Sequence, residues 1–588
     1  MRPTSSGGLR GVGLACFALG LSAYAWWPAL AAYPATQLND GGFGHEMIEA
    51  TRASLVRFHE LPLWNPFQCG GVPLWDNPQG FSAAPVFWPF LAFDTTRAIE
   101  LFYVVHSALG FLCMWLLARR ELGLSRGAAL VSSAMWAFAG THSQHLTMGH
   151  IVFVSYLYSP LAVLLWRRAE HELRMAVGLG MLVALEFYEA GVEPLAHLAV
   201  LLGAETLTRL WPPRRAPAVI RAGGIVLLVA FSLAAARLIP VIEQLMAHSR
   251  ELPRDSDALQ LSTLQEMFLA RDHINTLPGH PPHDVSGQHW GWFEYGDYLG
   301  PFLLGLSLLG IALAGTQNLW LLALLVAGTA LMAGHQGPYW PWAVLNGHVF
   351  PFKQMRIAAR FNDWVTLCLA PFAGIGIDAA ARLARRGLRS PAGAEALAAA
   401  LLALGLIGVG DLVGVGVDQC RRSFTGVPAA QHVTASPRFY VGGPDVASFI
   451  DQPAQNRGGT DCWEEWAFHR DAAIWTGDVP QARADDPAVT VANVVRTPST
   501  FSFDVGSPGR PAHVWLNSTW DAGWRATTGT VADDAGRLSV DVPAGEHRVI
   551  VRYWPLGLTF GLTLSGLAIV VLIALFVRDR RRRRPLRQ

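Results

Sequence analysis

Glu186, Glu189 and Glu193 stand in an otherwise apolar stretch at i, i+3 and i+7, a spacing that places them on one helix face with His197 one turn further on. Ionisable groups at membrane depth are costly, so they imply a use. A cation site, a proton relay, hydrogen bonds to a polyhydroxylated substrate, and pairing with arginines of neighbouring helices are all open to this face. Arg356 and Arg360 are four residues apart and would share another helix face. Guanidinium forks match phosphate oxygens, which suits the pair to a lipid-linked phosphate. Arg237 and Glu243 flank Pro240, Ser249 and Arg250 follow, and Glu294-Tyr295-Gly296-Asp297-Tyr298 precedes another apolar run. Asp40, in Leu38-Asn39-Asp40-Gly41-Gly42, has a plain structural use as the cap of a helix starting there. His142, His145 and His150, and separately His273, His280, His283 and His289, fit no standard metal-ligand spacing, and no CxxC occurs.

The elements that position these groups are membrane helices. Of 588 residues, 52% are hydrophobic and 15% charged, against roughly 25% charged in soluble domains. The apolar residues gather in blocks such as 11–32, 222–239 and 557–577, and a helix needs about 20 of them to cross the hydrocarbon core. About a dozen spans are expected, near 11–32, 98–118, 127–141, 151–166, 175–192, 194–209, 222–241, 298–315, 318–334, 363–382, 395–416 and 557–577. Alternation then puts Arg119, Arg120 and Arg126, Arg167, Arg168 and Arg174, Arg209, Arg214, Arg215 and Arg221, Arg382, Arg385, Arg386 and Arg389, and the tail 578–587 on the cytoplasmic side with both termini. A cleaved leader is the alternative for the first span, but its apolar run exceeds the roughly 7–15 residues of a signal core. With a net charge of +1 no basic face is left over for nucleic acid.

The long polar segments 33–97, 242–297, 335–362 and 417–556 then lie outside. In the first, 43–60 reads as a helix in the interface plane, followed by a Pro-, Gly- and Trp-rich ordered loop at the membrane surface. Within the last, 488–556 alternates apolar and polar residues between Gly/Pro/Asp turns, the pattern of a small antiparallel β-sandwich. The expected organisation is therefore a transmembrane domain over 1–416, an outer domain over 417–556, a final span at 557–577 and a basic tail at 578–588. Cys16, Cys113 and Cys368 fall in spans; Cys69, Cys420 and Cys462 fall outside, where a Cys420–Cys462 disulfide is one expectation.

The order of short motifs resembles the YfhO-type bacterial membrane proteins, a branch of the GT-C glycosyltransferases. It comprises an Asp soon after the first span, PLWNP at 62–66, GGVPLW at 70–75, Gly149-His150, PVIEQLMAHSR at 240–250, EYGDYLG at 294–300, RIAARF at 356–361, Gly523-Trp524-Arg525, and the run from Pro543 to Pro555. The acidic face of Glu186, Glu189 and Glu193 departs from the pattern. The resemblance implies a GT-C-like multispan enzyme of the bacterial plasma membrane with an extracytoplasmic active site. Its donor would be a polyprenyl-phosphate sugar and its acceptor an envelope glycan, lipid or protein. Asp40 would be the catalytic base of an inverting transfer, and Arg356 and Arg360 would hold the lipid phosphate. Around the substrate would stand Glu46, Trp64, Asn65, Trp75, Gln79, His150, Glu186, Glu189, Glu193, Arg237, Glu243, Arg250 and Glu294, with Trp64 and Trp75 either stacking on a sugar or anchoring at the interface. No Asp-x-Asp accompanies Asp40, so no obligatory metal is expected, with a divalent cation completed by Glu46 as the alternative. A transporter or lipid-carrier flippase using the Glu186–Glu193 face, and a non-catalytic envelope scaffold, are the competing functions.

Overall fold

The computed structural model describes residues 5–37, 40–81, 83–210, 215–248, 258–273, 290–388, 390–425, 435–442, 450–462 and 472–583. A helix lies under every apolar segment expected to span, but among the described residues six are long and apolar enough to cross a membrane: Thr95–Arg120, Ala216–Ala247, Trp292–Ala312, Ala358–Gly387, Pro391–Ser423 and Leu558–Arg581. Gly11–Ala25 and Thr316–Met332 are apolar but shorter. Arg126–Ala137, Ser159–Ala169, Leu173–Tyr188 and Val192–Arg209 run for only 12, 11, 16 and 18 residues. Length and composition thus support six of the expected dozen spans among the described residues, and the others are shorter helices packed in the bundle. Short helices are tolerated because neighbouring helices cover them: Arg126–Ala137 buries nine of its twelve residues.

Glycine sets the closest crossing. A Cβ on Gly310 would overlap the Phe372 carbonyl and crowd Gly376, so the Gly300–Ala312 and Asn362–Gly387 helices meet backbone to backbone. Ala216–Ala247 packs between Leu173–Tyr188 and the last helix. Pro240 inside it removes the N–H that would pair with the Ala236 carbonyl, and the Trp75 indole N–H takes that carbonyl instead, at 3.0 Å.

The two ends of the bundle differ in charge. At the start of Thr95–Arg120 the Thr95 hydroxyl donates to Glu49 of the Asp40–Arg52 helix. At its far end, about 39 Å away for 26 residues, the arginine loops come together. Arg168 donates to the Arg120 carbonyl at 2.6 Å, Arg167 pairs with Glu121 at 2.8 Å and Glu205 at 2.7 Å, and Arg209 pairs with Glu170 at 2.9 Å.

The outer region is built from short strands. In the first outer segment β1 (Trp64–Asn65) pairs antiparallel with β2 (Val72–Pro73), and later β3 (Tyr440–Val441) pairs parallel with β4 (Arg457–Gly458). Next come β5 (Ala482–Ala484), β6 (Thr490–Thr497), β7 (Thr500–Ser507), β8 (Ala512–Thr519), β9 (Trp524–Ala526), β10 (Thr530–Asp534), β11 (Arg537–Val542) and β12 (Gly545–Tyr553). They form two antiparallel sheets, β10-β11-β8-β5 and β6-β7-β12-β9. Alternate residues Phe501, Phe503 and Val505 of β7 and Val549, Val551 and Tyr553 of β12 turn inward to share a core with Val514, Leu516, Leu538 and Val540 of the other sheet.

The loop expected at the membrane surface belongs to this domain. Leu63, Trp64 and Trp75 enter the sandwich core, Glu60 accepts from the Ser499 N–H at 2.9 Å, and the Thr519 N–H reaches the Gly70 carbonyl at 3.3 Å. Cys69 is disulfide-bonded to Cys462. That corrects the expected Cys420–Cys462 bond: Cys420 sits on the last turn of Pro391–Ser423, buried beside Trp26 and Ala29 in the bundle. The expected interfacial helix is corrected too. Asp40–Arg52 is buried along most of its length, with Phe43, Met47 and Ala50 packed on Phe67, Leu74 and Phe439, because the loop and the segment around β3 and β4 cover the face that would have met lipid headgroups.

Candidate active site

Asp40 is the first residue of its helix, and a glycine brings its partner to it. Gly149 has φ +90°, and a Cβ there would overlap the backbone of Asp40 and Gly41. Only a residue without a side chain allows this approach. The next residue, His150, then reaches Asp40 Oδ2 with Nε2 at 2.9 Å. Its Nδ1 lies 2.9 Å from Nδ1 of His145, so one of those nitrogens carries a proton and the other accepts it. His145 is buried, and burial first, then the neighbouring positive charges, hold its pKa well below the ordinary value, leaving it neutral.

The Asp40 side chain is 47% exposed. Partial burial alone would raise its pKa; the hydrogen bond and charge of His150, with the charges of Arg360 and Arg356, outweigh that and hold it below the ordinary carboxylate value. Asp40 is therefore ionised at neutral pH and accessible.

Arg356 and Arg360 do not share a helix face. Met355 (φ −98°, ψ 143°) and Ile357 (φ −118°, ψ 103°) are extended, and a short 3₁₀ turn, Ala358–Phe361, follows. Arg360 forks onto both oxygens of Glu294, at 2.6 and 2.5 Å, and donates to Glu193 at 2.6 Å. Two carboxylates thus hold its guanidinium in place. Arg356 lies over the Trp290 ring at 5.0 Å and is half-buried. Behind Arg360, His197 stacks on Phe361 at 3.9 Å and lies 3.1 Å from the Tyr156 hydroxyl and 3.6 Å from Asp363.

The three-glutamate face is broken in the structure. The first helix ends at Tyr188, Ala190 takes φ +61°, and a new helix starts at Val192. Glu193 thus turns to Arg360, whereas Glu186 and Glu189 stay inside the bundle. Glu189 accepts from the Tyr158 hydroxyl at 3.1 Å and lies 3.3 Å from His106 Nε2; Glu186 is 1% exposed.

Several residues expected around the substrate have internal duties. Glu46, fully buried, accepts from Asn65 at 3.0 and 3.1 Å and from Gln68 at 3.3 Å, which ties the loop to the Asp40 helix. Trp64, 1% exposed, packs on Trp524 and Tyr553 at 5.0 and 4.6 Å, and Trp75, at 6%, is held by Ala236; neither offers a face to a sugar. The Gln79 N–H closes a turn on Asn77 Oδ1 at 2.8 Å. Arg237, 0% exposed, donates to the carbonyls of Phe187, Tyr188, Asn77 and Gly80 at 2.7, 2.6, 2.9 and 2.6 Å. It thereby satisfies the open carbonyl end of Leu173–Tyr188 and pins the loop against it. Glu243 stands half-buried on Ala216–Ala247, beside Gly557. Arg250, His280, His283 and His289 lie outside the described residues.

Of the expected set the structure therefore gathers Asp40, His150, Glu193, Glu294, Arg356 and Arg360. Tyr156 and Asp363 complete the group and were not singled out in the sequence. Asp363 carried a signal, an acid two residues into an apolar run beside Arg360; Tyr156, one aromatic among many, carried none. Asp297, also unassigned, is a buried tie that accepts from the Thr141 N–H at 3.1 Å and from the Thr366 hydroxyl. Among the described residues no three His, Cys, Asp or Glu side chains are placed to hold a metal ion.

No protein-family model and no curated protein matches the chain. Among solved structures it is similar to a single-particle cryo-EM structure of the arabinofuranosyltransferase AftD from Mycobacteria, with 14% identity and a TM-score of 0.42 over 72% of this chain and 29% of that one. The chain spans less than a third of that structure's length.

Proposed function

We propose that the protein is a GT-C-type membrane glycosyltransferase that moves a sugar from a polyprenyl-phosphate donor to an extracytoplasmic envelope acceptor, with inversion and with Asp40 as base. The observation that carries this reading is Asp40 itself: a half-exposed carboxylate, kept ionised by His150 and two arginines, at the edge of a buried polar group. In this mechanism Asp40 takes the proton of the acceptor hydroxyl as its oxygen forms a bond to the anomeric carbon. The bond from that carbon to the phosphate breaks on the opposite face, and its electron pair leaves with the polyprenyl phosphate. Arg356 stabilises the departing charge, while Arg360, Glu193 and Glu294 hold the wall behind it. No obligatory metal enters this reading. In the matching topology the arginine-rich end faces the cytoplasm, with both termini, and the Asp40 end faces out, in the plasma membrane of a bacterium.

The transporter or flippase alternative would rest on Glu186 and Glu189, and both are sealed inside the bundle, 1% and 0% exposed. An envelope scaffold of the same fold differs from the transferase only in turnover. The deciding experiment compares envelope glycans and polyprenyl-phosphate sugars by mass spectrometry in wild type, deletion, and deletion complemented with Asp40→Asn. Loss of one modification in both altered strains, with accumulation of its lipid-linked donor, is the expected result. Restoration by Asp40→Asn would sink the assignment.

A further inference from the structure

The end of the bundle opposite Asp40 carries a feature that sugar transfer does not use. A pocket of about 400 Å³ opens there between the end of Val192–Arg209 and the start of Leu319–Met332. Arg167, Arg209, Arg215, Thr208 and Thr316 supply its polar wall, and Leu319, Trp320 and Ala323 its apolar one. We infer that this pocket binds the phosphate group of an anionic membrane lipid.

Charge and shape both support that ligand. No acid lines the pocket. The glutamates that hold its arginines are not part of its lining: Glu205, 0% exposed, pairs with Arg167 at 2.7 Å and Arg209 at 3.2 Å, Glu170 pairs with Arg209 at 2.9 Å, and Glu121 pairs with Arg167 at 2.8 Å. Each guanidinium has five N–H donors, so these pairs fix the arginines without exhausting them. Arg167 is further fixed over the Trp320 ring at 4.0 Å. Arg215 is 54% exposed and only 4.0 Å from Glu170, the loosest of the three. Planar donors held in place by acids are preorganised for phosphate oxygens, and the Thr316 hydroxyl on the pocket wall adds a neutral donor, whereas the Thr208 hydroxyl donates to the Glu205 carbonyl at 2.7 Å. The opposite wall continues as an exposed apolar stripe along one helix face, Leu319, Ala323 and Val326. A free phosphate has no use for such a stripe, whereas a lipid would lay its acyl chains along it with its headgroup at the arginines. Basic pockets between helices at the cytoplasmic end commonly take anionic headgroups, and this is the end to which arginine placement assigns the cytoplasm.

The test uses the full-length protein in nanodiscs with photoactivatable phosphatidylglycerol or photoactivatable phosphatidylcholine, and maps crosslinked peptides by mass spectrometry. Phosphatidylglycerol is expected to label 207–209, Arg215 and 316–326 in preference to phosphatidylcholine. Labelling should fall roughly fivefold in Arg215→Gln and roughly 25-fold in Arg209→Gln/Arg215→Gln, about a fivefold loss per guanidinium at a membrane surface. Arg215→Gln leaves the pairs of Arg167 and Arg209 intact, so the single variant reports even where the double does not fold. Unlabelled phosphatidylglycerol should compete and excess inorganic phosphate should not. Equal competition by inorganic phosphate would keep a phosphate site but overturn the lipid as its source. Equal labelling by the two lipids, or undiminished labelling in Arg215→Gln, would overturn the site.

Discussion

Asp40 opens the first outer segment with half its side chain exposed and His150 at 2.9 Å, whereas Asp76, in the same segment, lies buried beneath the sandwich with the Tyr553 hydroxyl at 3.0 Å. At Asp40, positive neighbours overcome the effect of burial and hold the pKa down. At Asp76, burial, then the charge of Asp521, push it well up. Two identical side chains 36 residues apart thus reach neutral pH in different states, one an accessible anion and the other held toward its neutral form. The difference separates a group available for proton transfer from one that fastens the outer domain to its loop. Position decides which, since both sit in Gly- and Asn-rich sequence.

The largest effect that can break this contrast is on turnover. Asp40→Asn should lower transfer by about 10²- to 10⁴-fold while leaving the thermal midpoint and membrane yield unchanged, as read by sugar transfer to envelope acceptors and by scanning fluorimetry. A large loss of stability in that variant would make Asp40 another fastener. Arg237→Ala should do the reverse. Removing a buried cation that satisfies several carbonyls costs more than about 3 kcal/mol, so the variant should lose its thermal transition before any catalytic defect can be resolved. Gly149→Ala comes next. The strained φ and the overlap with Gly41 should cost about 1–3 kcal/mol and move His150 off Asp40. Activity should fall and the acid limb of the pH–rate profile should shift toward the ordinary carboxylate value. An unshifted limb would show that His150 does not set the Asp40 pKa.

Legibility followed the same divide. The apolar runs marked the long helices of the bundle but not the short Leu261–Leu269 and Pro341–His348 helices of the outer segments, and the β-pattern marked most of the sandwich strands, because both report burial at a fixed period. Strands β5 and β10 escaped, β5 being short and β10 largely polar, and β9 was marked only through the Gly523-Trp524-Arg525 motif of the resemblance. Asp40, His150, Glu193, Glu294, Arg356 and Arg360 were legible as chemistry, but not their pairing. The break at Glu189–Gly191 that sends Glu193 to Arg360 depends on a left-handed alanine, which no period announces. Trp64, Trp75 and Arg237 misled for a related reason. A Trp in a polar loop or an Arg near the end of a span looks available, yet Trp75 answers a carbonyl that Pro240 leaves open 165 residues along the chain, and Arg237 answers the end of another helix. Such debts are set by tertiary packing. Cys69 chose Cys462 on the same terms, through the strand-like contacts of Cys69 with Asp461 and Gly70 with Gly459 at 2.9 Å.

The smallest effect, and the sharpest test of the contrast, is the pH dependence of stability at Asp76. Below the ordinary carboxylate value of 3.8 the folded and unfolded chains both hold its proton, and the residue adds no slope. As pH rises through the interval between that value and the raised folded value, the unfolded chain releases the proton and the folded chain keeps it. Stability therefore falls with pH across that interval, by at most about 1.4 kcal/mol per unit. Asp76→Asn keeps an acceptor for the Tyr553 hydroxyl and cannot ionise. Its thermal midpoint should stay nearly flat from about pH 4 upward where the wild type declines, so the two curves should meet in acid and separate toward neutrality, with the variant the more stable. Asp40 has the opposite sign: its depressed pKa contributes stability above the ordinary value that is lost as pH falls through the folded one, and exposure keeps that contribution small. Asp521→Asn provides the control. Removing the neighbouring charge should narrow the Asp76 interval without abolishing it, because burial is the larger cause. If Asp76→Asn were instead less stable than wild type at neutral pH, Asp76 would be a working anion in the folded state. The two carboxylates would then differ in exposure alone, and ionisation would no longer single out Asp40 as the base.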